Sequence, residues 1–142
     1  MKKITLCSLV VLLALSSCKK EGISRNVYTG DISLENAVII RKGDIVFRSG
    51  NNPGGEAVIY QLPDEKLVIG LEKLSFTSNI NIQVHLSKVP NKFFGSEEVF
   101  AFRSIKGSLY NRVPAHIKIA NFKYVVRQNT ADDDEIASAE LK

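Results

Sequence analysis

Eight consecutive residues, Ile80-Asn81-Ile82-Gln83-Val84-His85-Leu86-Ser87, alternate strictly between apolar and polar. A helix would scatter these apolar groups around its circumference. An extended chain instead sends Ile80, Ile82, Val84 and Leu86 to one face and Asn81, Gln83, His85 and Ser87 to the other. Much of the chain beyond Val27 follows the same logic. Glu56-Ala57-Val58-Ile59-Tyr60-Gln61-Leu62 and Lys66-Leu67-Val68-Ile69-Gly70-Leu71 flank Pro63-Asp64-Glu65-Lys66, where proline sets the first corner, so a hairpin is predicted. Shorter strands are expected at Val38-Ile39-Ile40, Asp44 to Arg48, Lys73 to Phe76, Val99 to Phe102, Ile105 to Gly107, Ile117 to Ala120 and Phe122 to Val126. Lys42-Gly43 reads as a turn, Ser49 to Gly55 and Val89 to Lys92 as loops, and Asn111 to Pro114 as a turn or edge. Only Ser33 to Ala37, with Ser33 as a cap, has a claim to helix. The predicted fold class is all-β: one domain, an antiparallel β-sandwich or a partly open barrel.

The first 17 residues have a different character. Met1-Lys2-Lys3 is a positive start, Ile4 to Leu15 is almost wholly apolar, and Leu15-Ser16-Ser17-Cys18 closes the run. This is the layout of a secretory signal, too short for a permanent span of roughly 30 Å of hydrocarbon. Leu-Ser-Ser-Cys resembles the bacterial lipobox, which implies that Cys18 becomes the acylated first residue of a lipoprotein. Residues 18–26 then read as a lipid-anchored tether, 27–128 as the β domain and 129–142 as an acidic, disordered tail. Lys19-Lys20 after the cysteine, where an aspartate would favour inner-membrane retention, points to the outer membrane of the cell envelope.

Composition excludes several classes of function. From Cys18 onward, 17 basic residues face 15 acidic ones, a net of +2. No basic cluster is interleaved with stacking aromatics, so nucleic acid is not an expected partner. Cys7 lies in the leader and Cys18 takes the lipid, which leaves the β domain without a thiol, a disulfide or a thiolate ligand. His85 and His116 have no metal-ligand spacing, no Gly-x-Ser-x-Gly elbow is present, and Gly54-Gly55 leads into a strand rather than a helix. The carboxylate pairs Asp64-Glu65 and Glu97-Glu98 read as solvated turns. Asp132-Asp133-Asp134-Glu135 lacks the spaced loop of a calcium site. Phe93-Phe94, in an expected loop, reads as a plug for one end of the fold. The chain is therefore expected to be no enzyme and to carry no resident cofactor or metal.

A family resemblance rests on a run of short motifs. Gly54-Gly55-Glu56-Ala57-Val58-Ile59-Tyr60 is followed by Leu71-Glu72-Lys73-Leu74-Ser75-Phe76 and by Asn79 to Ser87, then by Ile105-Lys106-Gly107 and Val113-Pro114. In this order the segments, spanning Gly43 to Arg127, resemble the DM-thirteen domain, an electron-transfer module. The resemblance implies a β-sandwich with a redox cysteine in its last strands. Ala120 and Asn121, in Ile117-Lys118-Ile119-Ala120-Asn121-Phe122, stand where the family's aromatic and cysteine would be. The expected function is thus a lipid-anchored, non-catalytic binding or assembly domain. It would meet the membrane through its lipid and take an envelope protein, a glycan or a small ligand as partner. The alternative is electron transfer through a bound haem, with His85 and Tyr60 as axial ligands.

Overall fold

The computed structural model describes residues 25–28, 31–48, 53–74, 81–90, 95–103, 107–129 and 135–142. The expected leader, Cys18, the core of the 49–55 loop, Ser75-Phe76, Ile80, Phe93-Phe94, Ile105-Lys106 and Asp132 to Asp134 lie outside them. Among the described residues there are nine strands: β1 (Arg25–Tyr28), β2 (Val38–Phe47), β3 (Pro53–Gln61), β4 (Leu67–Leu74), β5 (Asn81–Ser87), β6 (Glu97–Arg103), β7 (Gly107–Arg112), β8 (Tyr124–Asn129) and β9 (Glu135–Glu140). They form one sheet in the order β1-β7-β4-β3-β2-β9-β8-β5-β6. Eight strands are antiparallel and curl until the sheet nearly closes as a barrel, while short β1 joins β7 in parallel. The all-β expectation holds, in its open-barrel form.

The β3–β4 hairpin behaves as its residues require. Glu65 N–H donates to Leu62 O at 2.9 Å across Pro63, and Leu62 N–H to Lys66 O at 2.8 Å. Glu65 takes φ 64°, the left-handed residue that such three-residue loops need. Six consecutive cross-strand pairs follow, from Gln61–Leu67 to Glu56–Glu72. At the far end Lys73, with φ 54°, interrupts the register between Leu71 and Leu74, so both leucines face inward. Gly55 opposite is at φ 120°, and a Cβ there would stand 2.2 Å from Glu72 O.

Two hydrophobic clusters sit on opposite faces of the sheet. The interior one draws Ile45 from β2, Ile59 from β3, Ile69 and Leu71 from β4, Val84 and Leu86 from β5, and Ala137 and Ala139 from β9. Burying each of the larger aliphatic side chains contributes about 1.5–3 kcal/mol, which holds the barrel without staples. Ile117, Ile119 and Phe122, from the connection between β7 and β8, also join this cluster. Outside the wall, Ile32, Leu62, Val68 and Tyr110 form a smaller cluster covered by Leu34 and Ala37.

Several local expectations are corrected. Lys42-Gly43 is no turn; β2 runs unbroken through it, because Gly43 sits under β9, where a Cβ would lie 1.9 Å from Glu140 O. β3 already begins at Pro53, inside the expected loop. Residues 33–37 make a turn with Asn36 at φ 59°, closed by Ala37 N–H to Leu34 O at 3.0 Å, rather than a helix. Gly107 opens a strand instead of ending one, and Asn111 and Arg112 belong to it. Ile119–Asn121 is a 3₁₀ turn, not part of a strand.

The largest correction concerns the C-terminus. The sequence reading makes residues 129–142 an acidic, disordered tail. Instead Glu135–Glu140 forms β9, inserted between β2 and β8, with Ala137, Ala139 and Leu141 buried. The acidic run misleads because its charge says nothing of the alternating small and polar residues after it. The Arg41 guanidinium locks this closure, donating to Leu141 O at 2.7 Å and to Phe122 O at 2.5 Å.

Candidate functional site

The outer wall of β2, β9 and β8 carries an open groove of about 570 Å³. Its shape follows from side-chain size. Among the described side chains of β9 the inward ones are Ala137 and Ala139, and the outward one between them is Ser138, paired with Val46 on β2 and Val126 on β8. Ser138 and the short side chain of Val46 beside it leave a trough, and the longer ionic and aromatic side chains around them raise the banks. Lys42, Asp44 and Val46 come from β2, Glu56 from β3, Tyr124 from β8, Ser138 and Glu140 from β9, and Lys142 follows. Ile45 and Ala139 point the other way, into the core, so the alternation of the strands fixes which groups face the groove.

The groove carries both signs of charge. The Lys73 ammonium, 2.9 Å from Glu56 Oε2, holds that carboxyl below the usual glutamate range, and Lys42 adds to the effect. Glu56 reciprocally raises Lys73. Glu140 lies directly across from Tyr124. Among the described residues, five ionic side chains thus surround one hydroxyl, one phenol and one apolar side chain, and no histidine lines the groove.

Next to it, on the outer face of β3, β4 and β7, two tyrosines converge on one carboxylate. The Tyr60 and Tyr110 hydroxyls both donate to Glu72 Oε1, Tyr110 from 3.1 Å. Their rings lie 6.3 Å apart across Gly70, where a Cβ would meet the Tyr110 ring at 3.0 Å. Desolvation, followed by the hydrogen bond to Glu72, raises the Tyr60 phenol well above its ordinary pKa. A phenol so held stays neutral at any physiological pH and serves as a fixed donor. The cluster clamps the wall beside the groove.

The residues singled out from sequence do not converge. His85 stands on β5 and Tyr60 on β3, with β8, β9 and β2 between them. At about 4.8 Å per strand they are some 19 Å apart along the wall, so they cannot share one haem iron. His85 lies opposite Glu98, its Nδ1 is 3.2 Å from Ser96 Oγ, and burial lowers its pKa against the pull of Glu98. Glu97 and Glu98 are strand residues of β6, not turn residues. Ser87, expected on the polar face, is buried and donates to Val89 O at 2.7 Å. His116 is exposed beside a smaller hollow of about 210 Å³ with Lys88, Glu97 and Lys118. Asp64 is in the expected turn, its carboxyl lowered by Lys66 at 2.6 Å. Among the described residues no group of three or more His, Cys, Asp or Glu is placed to hold a metal ion.

Ala120 and Asn121, the positions set against the family's redox pair, occupy the 3₁₀ turn rather than a final strand. The last strands, β8 and β9, contain no cysteine either. Sequence reasoning missed the groove because it missed β9. The signal was present as Ala137-Ser138-Ala139-Glu140-Leu141, small or apolar at every second position. Set against protein-family models, curated proteins and solved structures, the chain has no match in any of the three.

Proposed function

We propose that the chain is a non-catalytic binding lipoprotein of the bacterial envelope, tethered through an acylated Cys18 and presenting the β2–β9–β8 groove to its ligand. The observation that carries this reading is the groove. It is an open trough on a hydrogen-bonded wall, lined by fixed charges and aromatic surface and by no histidine base. The tether side favours it as well. β1, the strand that follows the anchor segment in the chain, is separated from the β2–β9–β8 wall by β7, β4 and β3 in the sheet order. The DM-thirteen resemblance accounts for the scaffold in this proposal, and the missing cysteine for a shift from electron transfer to binding.

Two measurements test it. Mass spectrometry of the full-length protein from bacterial membranes should find a diacylglyceryl-modified N-terminal Cys18, and Cys18→Ser should move the protein to the soluble fraction. Affinity capture from envelope extract should retain a ligand that Val46→Glu, a change on the exposed groove floor, releases. Unmodified Cys18 refutes the anchor; capture indifferent to Val46→Glu refutes the groove.

A further inference from the structure

We infer that the groove takes a neutral, polyhydroxylated chain, that is, a segment of an oligosaccharide; this deepens the binding reading above and rests on it. The first argument is charge. Lys42 and Lys142 are interleaved with Asp44, Glu56 and Glu140. A polyanion laid in the trough would meet three carboxylates, and a polyamine two ammonium groups. A sugar hydroxyl both donates and accepts, so it satisfies either sign without bringing a charge of its own. Carboxylates set beside a phenol and a serine match vicinal hydroxyl pairs in the same way.

The second argument is the backbone. β9 is hydrogen-bonded to β2 on one side and to β8 on the other. The groove floor therefore offers no free ladder edge to an extended peptide, which would need one for strand addition. The third is surface type. The Tyr124 ring is half-buried on one bank, and Val46 on the floor is 46% exposed. A ring on one side of β9 and an exposed apolar side chain on the other offer separate contacts to the C–H faces of successive sugar rings. The volume is within the range of roughly 300–1,000 Å³ usual for ligand sites.

The test uses the full-length chain in a detergent without a sugar headgroup. Isothermal titration is run with cellohexaose, xylohexaose, mannohexaose, maltohexaose and chitohexaose, with heparin and spermine as charged counter-probes. At least one hexaose should bind saturably, with Kd between about 10 µM and 1 mM. Its affinity should change less than about twofold between roughly 50 and 500 mM salt, since no ion pair forms. Tyr124→Ala should weaken binding by about tenfold or more, and Tyr124→Phe, which keeps the ring, by less than about threefold. Should Tyr124→Ala lose its fold by circular dichroism, Val46→Glu on the exposed floor should give the same loss with the fold intact. Binding of heparin or spermine in place of every hexaose overturns the inference, as does sugar binding indifferent to both groove variants. If no hexaose binds while envelope capture still depends on Val46, the sugar assignment fails and the binding reading stands. Failure of both removes both.

Discussion

The β3–β4 hairpin and strand β9 are held in the same sheet by different means. The hairpin closes locally: its two strands are joined by Pro63, Asp64 and Glu65 and carry bulky side chains such as Ile59 and Ile69, both fully buried. β9 closes the sheet at long range on one side, pairing Ala139 with Ile45 on β2, while on the other it pairs Ala139 with Val125 of β8, its neighbour in the chain. Its inward residues among the described ones are Ala137 and Ala139, which contribute little hydrophobic surface. What β9 supplies is hydrogen bonds on both sides and a fit close enough that Gly43 must lack a side chain. Around its turn the hairpin thus tolerates imperfection, whereas the closure against β2, like the hairpin's far end at Gly55, does not. The groove lies on the less tolerant region.

Substitutions should expose that asymmetry. Ala139→Asp places an unpaired carboxylate at a position only 2% exposed, and should cost about 4 kcal/mol or more, enough to unfold the domain. Loss of the cooperative thermal transition would show it. Gly43→Val drives side-chain atoms into the Glu140 carbonyl and should cost about 3 kcal/mol by chemical denaturation, at the upper end of overpacking effects. On the hairpin side the sign reverses. Glu65→Gly relieves a left-handed residue and should stabilise by about 0.5–1 kcal/mol, read from the same denaturation curves. A loss at Glu65→Gly, or indifference at Gly43→Val, would break the comparison.

A pH titration sharpens it further, because His85 packs beside β8 on the closing side. Burial depresses its pKa below the ordinary value of 6.5, so the unfolded chain takes up a proton that the folded chain resists. Stability should therefore fall as pH drops through 6.5 and level off below the depressed folded value. His85→Gln should flatten that window while leaving the hairpin variants' effects unchanged. A stability that rises on acidification through this range would contradict the burial argument.

How far the fold was legible follows from the same contrast. Glu56 to Leu71 announces its own hairpin because its strands, its proline turn and its register lie within sixteen residues. The alternation of Ile82, Val84 and Leu86 likewise needs no partner to be read. β9 is legible only in part: a small or apolar residue at every second position marks a strand, but its place in the sheet depends on β2, far off in sequence. Gly43 misled for a related reason: a glycine that admits a distant strand looks, in isolation, like a turn. The candidate groove shared that fate. Val46, Glu56, Tyr124 and Ser138 come from four strands, and nothing in their spacing brings them together.

Hydrogen exchange followed residue by residue tests the central point most directly. With β9 as an interior strand, the backbone amides of β9 that bond to β2 and β8 should be protected to within about tenfold of those of Ile59 and Ile69 in the hairpin. Exchange across residues 135–140 at the rate of free chain would contradict it, and the groove built on that strand would go with it.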